Sequence, residues 1–124
     1  MGTLLIVDDD YSTRKETLLR WWVKTHRIDV NDVIVLTEYP EIGLTKYLQE
    51  HPGITYVSLD HDLGSSDVSS ELSREFWELP HVFPYVWKNK TVVIHSMNVP
   101  GAINIANKFT YVGNSVTVIP LSKM

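Results

Sequence analysis

The chain has 124 residues, 44% of them apolar and 21% charged, with a formal net charge of −4 and no cysteine. This length and balance suit a single globular domain over 1–124, and the missing cysteine excludes disulfides, a thiol nucleophile and a cysteine-type zinc site. The acidic balance excludes an extended nucleic-acid surface, which needs clustered Lys and Arg, but leaves recognition of one nucleotide open.

No basic leader and no long apolar stretch follows Met1. Neither a signal peptide nor a membrane span is therefore expected, and the expected location is the cytoplasm. Leu4-Leu5-Ile6-Val7 is a short continuous apolar run, as in a strand covered on both faces. It runs into Asp8-Asp9-Asp10. A helix is predicted to start near Ser12 or Thr13, since Thr13 and Glu16 have capping-box spacing. Its buried stripe would be Leu18, Leu19, Trp22, Val23 and His26. Val33 to Leu36 reads as a second strand. Pro40 fits the first turn of a second helix, Glu41 to Glu50, with Ile42, Leu44, Tyr47 and Leu48 available for packing. His51-Pro52-Gly53 stops it.

Tyr56 to Leu59 is the third predicted strand, and it climbs into Asp60-His61-Asp62 before breaking at Gly64. Ser65-Ser66-Asp67 reads as a turn and helix cap. Leu72, Phe76 and Leu79 have helical spacing and predict a third helix ending before Pro80. His81 to Lys90, with Pro84 among aromatics, reads as an irregular connection. Thr91 to Ile94 is a fourth strand and leads into His95-Ser96-Met97-Asn98. Asn98 caps a fourth helix with Pro100 in its first turn, Ala102, Ile105, Ala106 and Phe109 on its buried face, and Gly113 beyond its end. Val116 to Ile119 is a fifth strand, with too few residues after it for a fifth helix.

Strands and helices thus alternate. Alternation with apolar strands predicts an α/β fold: a doubly wound, five-stranded parallel sheet, order 2-1-3-4-5, with helices on both faces. Ligands of such sheets bind beyond the carboxyl ends of the strands. Adjacent strands lie ~4.8 Å apart, so the ends of the first, third and fourth strands would converge. Asp8, Asp9 and Asp60 would form a negative cluster suited to a hard divalent cation, Mg²⁺ or Mn²⁺. The plainer reading makes Asp8 to Asp10 acids at a helix start, with Asp10 the cap. His61 and His95 could divide general acid and base work, with Asp62 orienting one of them or binding metal. Free amides after Ser96 and Asn98 favour an anion such as phosphate, and the same residues serve as plain helix caps. No Gly-x-Ser-x-Gly elbow surrounds Ser96. His26, His51 and His81 have no supporting constellation and read as structural or surface residues.

Over nearly its whole length the chain resembles a receiver domain of two-component signalling. Asp8-Asp9 match the acidic pair after the first strand, and Asp60 matches the phosphoacceptor. Receivers also place Thr or Ser after the fourth strand and a Lys after the fifth; here His95-Ser96 and Ile119 occupy those places, and the last receiver helix is missing. Leu59-Asp60-His61-Asp62-Leu63-Gly64 together with His95-Ser96-x-Asn98 resembles, more closely, the cyclic-phosphate processing receiver-like family of phages and conflict systems. Two departures lie at the pocket rim: no glycine-containing turn follows Gly64, and Val99 separates Asn98 from Pro100. The resemblance implies a site of Asp8, Asp9, Asp60, His61, Asp62, His95, Ser96 and Asn98.

Three functions follow as expectations. The first is a metal-dependent phosphoesterase acting on a cyclic nucleotide or cyclic-phosphate-ended RNA, with metal on Asp8, Asp9 and Asp60. His61, His95, Asp60 and Asp62 would be catalytic, and Ser96 and Asn98 would bind phosphate. The second is a module that binds a cyclic nucleotide without cutting it. The third is a degenerate receiver in which Asp60 accepts phosphate.

Overall fold

The computed structural model describes every residue except Met1, Ser65, Val112 and Ser115. Five parallel strands form the central sheet: β1 (Thr3–Val7), β2 (Val33–Leu36), β3 (Ile54–Leu59), β6 (Thr91–His95) and β7 (Val116–Ile119). Their spatial order is β2-β1-β3-β6-β7, the doubly wound order that the alternation predicts. A two-stranded antiparallel ribbon, β4 (Asp62–Leu63) and β5 (Ser66–Asp67), follows β3. Gly64 turns this ribbon with a φ of 68°, a left-handed conformation that glycine adopts without a Cβ penalty. Of the predicted Ser65-Ser66-Asp67 turn, Ser65 lies outside the described residues. Asp67 caps the next helix, accepting from the Ser70 amide at 2.7 Å.

Side chains alternate along each strand, and this period of two sorts the core into two layers. Leu5, Val7, Val57, Leu59, Val92 and Ile94 face one side. They pack against α2 (Leu44–Glu50), α3 (Val68–Glu78), α4 (Phe83–Lys88) and α5 (Val99–Tyr111). Leu4, Ile6 and Val93 face the other side, where Leu18 and Trp22 of α1 (Tyr11–His26) cover them. Leu121, in a short 3₁₀ turn after β7 (Leu121–Lys123), and Met124 add partial cover to this second layer.

Three local expectations are corrected. Helix α1 begins at Tyr11 rather than at a Thr13–Glu16 capping box; its cap position is Asp10, whose side chain makes no capping bond. Residues 83–88 form α4 rather than an irregular connection. Pro84 sits in its first turn, where a missing N–H is harmless, and Phe83 and Trp87 bury one helical turn apart. Helix α2 starts at Leu44 instead of Glu41, so Pro40 lies outside it and Ile42 is exposed.

The late start of α2 has a tertiary cause. Its first amides are capped by Glu75, a carboxylate from the middle of α3 that is buried. Glu75 accepts from Leu44 N at 3.0 Å and from Thr45 N at 2.7 Å, and the Tyr39 hydroxyl donates to the same carboxylate. Burial, reinforced by that negative charge, raises the Tyr39 pKa. Gly43 makes the close approach possible: a Cβ there would lie 3.0 Å from Glu75, and its φ of 86° is left-handed. Glu75→Ala would orphan two amides and a hydroxyl in a buried place. We expect it to cost about 3 kcal/mol, read as a lower urea midpoint at unchanged slope.

Candidate acidic site at the strand ends

The alternation that sorts the core also builds the site. Continuing the parity of Leu4 and Ile6 puts Asp8 on the α1 side of the sheet; Tyr56 leads in the same way to Ser58 and Asp60, and Val93 to His95. Strands β1, β3 and β6 are neighbours in register, with Ile6 opposite Ser58 and Ser58 opposite Val93. The polar residues at their ends therefore gather on one face. Carboxylate oxygens of Asp8, Asp9 and Asp60 lie within 4.8 Å of one another, with Asp8 and Asp60 buried and Asp9 exposed.

Asp8 is the most enclosed member, at 0% exposure. His95 Nε2 donates to its Oδ2 at 2.9 Å, and the Asp10 amide donates to its Oδ1 at 2.8 Å. The other His95 nitrogen, Nδ1, pairs with the Ser58 hydroxyl at 2.7 Å, and all three side chains are sealed from solvent. His95 is thus fully engaged in holding Asp8.

Arg14 supplies the positive charge, and sequence reasoning missed it. From the first turn of α1, its Nη1 donates to both Asp8 oxygens at 3.2 Å and to Asp60 Oδ2 at 3.0 Å. The spacing places the helix start at Ser12 or Thr13, whereas α1 begins at Tyr11 and carries Arg14 over the strand ends. Asp60 Oδ1 accepts from the amide of His61 at 2.8 Å.

The two buried acids are driven in opposite directions. Burial alone would raise the pKa of Asp8, but the His95 bond, the Asp10 amide and the charges of His95 and Arg14 together bring it below the ordinary value. For Asp60, burial and the neighbouring charge of Asp8 prevail, and its pKa rises despite His95, Arg14 and the His61 amide. The Arg14 pKa is raised: burial opposes its charge, but Asp8 and Asp60 outweigh that effect.

His61 lies elsewhere, among residues of the β4–β5 ribbon, α3 and α5. Nδ1 donates to Asp62 Oδ1 at 2.8 Å, and Nε2 meets Ser69 Oγ at 3.3 Å. Asn98 Nδ2 is 3.4 Å from His61 Nδ1. Gly101 lets the first turn of α5 close on the imidazole, since a Cβ there would lie 2.6 Å from the ring. The two histidines that the sequence suggests as a pair thus have separate partners. Ser96 and Asn98 act as caps: Ser96 Oγ accepts from Asn98 N at 3.0 Å, and Asn98 Oδ1 from Gly101 N at 3.0 Å. Asp62 sits beside His61, and its closest ring contact is the one just given.

An open cavity of about 430 Å³ borders Asp9. Thr37, Glu38, Tyr39, Leu63, Gly64 and Ser66 line it, and among the described residues its lining includes no Lys or Arg. An anionic ligand there would face Asp9 and Glu38. A phosphate would need positive charge brought with it, and the hard oxygen donors of Asp8, Asp9 and Asp60 fit Mg²⁺, Mn²⁺ or Ca²⁺. The Arg14 guanidinium, bridging Asp8 and Asp60, is the positive charge that these two acids meet within the chain.

The opposite shifts have a measurable consequence in EDTA. A depressed pKa means that ionised Asp8 stabilises the fold above its unfolded pKa, and that this stability is lost as pH falls through the folded value. A raised pKa means that Asp60 stabilises only in its protonated form, so this stability is lost as pH rises through its folded value. At pH 7, Asp8→Asn should lower the urea midpoint clearly, whereas Asp60→Asn should match or exceed the wild type. The Asp60→Asn advantage should shrink as pH falls toward 4, and unfolding curves at stepped pH check both signs.

No protein-family model and no curated protein matches the chain. Solved structures do. The CheX–CheY–BeF₃–Mg²⁺ complex from Borrelia burgdorferi aligns with a TM-score of 0.55 at 23% identity, over 96% of this chain and 78% of that one. A CheY-like response regulator receiver domain protein from Methanospirillum hungatei JF-1 gives 0.53 at 15%, over 95% and 81%. A response regulator from Burkholderia pseudomallei, with a phosphorylated aspartic acid, calcium ion and citrate, gives 0.55 at 9%, over 95% and 59%. At these identities the likeness establishes architecture: the chain has the fold of a CheY-like receiver domain.

Proposed function

We propose that this chain is a divergent receiver-type phosphoacceptor module, with Asp60 as the acceptor and Asp8, Asp9 and Asp60 as the holders of a divalent cation. The observation that carries the reading is the convergence of three carboxylates within 4.8 Å at the ends of β1 and β3. The phosphorylated aspartic acid and calcium ion of the Burkholderia protein, and the Mg²⁺ of the Borrelia complex, support it by likeness of fold.

The chemistry asked of the chain is modest. One Asp60 oxygen forms a bond to phosphorus while the donor's leaving oxygen departs with its electron pair. A divalent cation held by Asp8, Asp9 and Asp60 would offset the charge that gathers between carboxylates and phosphoryl group. Asp8 stays ionised because His95 and the Asp10 amide hold it so. The raised pKa of Asp60 marks a more basic carboxylate than usual. The His61 amide fixes one of its oxygens. Ile119, opposite His95 in the sheet register, is apolar. Among the described residues, the side-chain cation that reaches Asp60 is Arg14, which comes from the first helix instead.

A second reading retains cyclic-phosphate hydrolysis. In it Asp8, Asp9 and Asp60 would hold the ion, His61 and His95 would move protons with Asp62 orienting one of them, and Ser96 and Asn98 would take phosphate oxygens. Its support is the His61–Asp62 pair, 2.8 Å apart and next in the chain to Asp60. It asks more of the geometry, because His95 is sealed and the Ser96 and Asn98 oxygens already serve the α5 cap.

Incubation with acetyl phosphate and Mg²⁺ should add the mass of one phosphoryl group, mapped to Asp60 and abolished by Asp60→Asn. Intact protein that stays unmodified at every donor concentration would remove the phosphoacceptor reading. Incubated with 2′,3′- and 3′,5′-cyclic nucleotides and Mg²⁺ or Mn²⁺, the protein should leave them intact by chromatography; turnover lost in His61→Ala would instead establish the second reading.

A further inference from the structure

The pocket proposed for a cation already holds a positive charge from the chain itself. Arg14 Nη1 touches three oxygens on two carboxylates, at 3.2, 3.2 and 3.0 Å. These two carboxylates are among the three whose oxygens lie within 4.8 Å of one another and would hold a divalent ion. An oxygen that ligates an ion is a poorer acceptor for a guanidinium, and two cations on one acceptor set repel.

A second resting place for Arg14 is within reach. Asp10 Oδ2 lies 3.8 Å from Arg14 Nε, and the two residues are four apart on the same helix. The Asp10 side chain is 50% exposed, whereas that of Asp8 is fully buried, and the Arg14 side chain is 23% exposed. The guanidinium therefore sits at the mouth of the pocket, between two inner acids and one outer acid. A small rotation of a long, flexible side chain exchanges one set for the other.

Building on the reading that Asp8, Asp9 and Asp60 take a divalent cation, we propose that Arg14 is the resident counter-ion of this pocket and the direct competitor of that cation. The ion gains the site by moving the guanidinium outward onto Asp10. Without the ion, Arg14 bridges Asp8 to Asp60 and limits access to the Asp60 oxygen it holds. With the ion, Asp60 Oδ2 is released from the guanidinium. Arg14 thereby sets the cation concentration at which the pocket opens.

The test is calorimetric titration of Mg²⁺ into the full chain, as wild type, Arg14→Met and Asp8→Asn, with the side-chain Nε–H signal of Arg14 followed by NMR in the wild type. Removing the competitor should tighten Mg²⁺ binding by about tenfold or more in Arg14→Met. The Arg14 signal should shift in step with wild-type occupancy, a readout that does not depend on the variant folding. Equal affinities for wild type and Arg14→Met, or an Arg14 signal indifferent to bound Mg²⁺, would overturn the proposal while leaving the cation site intact. Failure of both wild type and Arg14→Met to bind Mg²⁺ any better than Asp8→Asn would remove the cation site itself, and the competition with it.

Discussion

A buried carboxylate has to be matched by positive charge and donors, because leaving it unpaired in a dry interior costs several kcal/mol. Asp8 is such a group, and its partners come from several elements: His95 from the end of β6, the Asp10 amide at the start of α1, and the Arg14 guanidinium one turn along that helix. Meeting that need fixes the spacing of β1 from β6 across β3 at their carboxyl ends and the angle at which α1 leaves the sheet. Ser58 completes the arrangement from the intervening strand by engaging the far nitrogen of His95. The acidic site is part of this buried network, with Asp8 and Asp60 inside it and Asp9 exposed at its edge.

The same strand parity explains why the site has one centre rather than two pooled ones. Residues that continue the α1-facing rows of β1, β3 and β6 meet at Asp8 and Asp60. His61 is one residue out of that phase, and its neighbours belong to the β4–β5 ribbon, α3 and α5. A shift of a single residue sends a side chain to the opposite layer. His95 therefore joins the buried support of Asp8, whereas His61 clasps the start of α5 to the ribbon.

The likeness to receiver structures at 9–23% identity is what such a fold permits. Parallel β/α units need apolar strands, amphipathic helices and short connections, and many sequences satisfy that pattern. Function is set by the few polar residues at the strand ends. Here those residues are Asp8, Asp9 and Asp60, with His95 bonded to Asp8 and Arg14 to both Asp8 and Asp60.

The five strands of the central sheet, their order and the meeting of Asp8, Asp9 and Asp60 were legible in the sequence, because unbroken apolar runs such as Leu4–Val7 and Val92–Ile94 are local signals that the long-range pairing obeys, whereas the short β4–β5 ribbon carries no such run. The start of α2 was not legible, because it depends on Glu75, 31 residues from Leu44. Nor was α4, whose two buried aromatics surround a proline that reads locally as a breaker. The Arg14 bridge and the burial of His95 depend on where a helix end and two strand ends meet in space. Composition and periodicity determined which residues could carry charge at the edge of this sheet. Only the tertiary structure decided which of those charges neutralise one another, since that depends on distances of about 3 Å between side chains on separate elements.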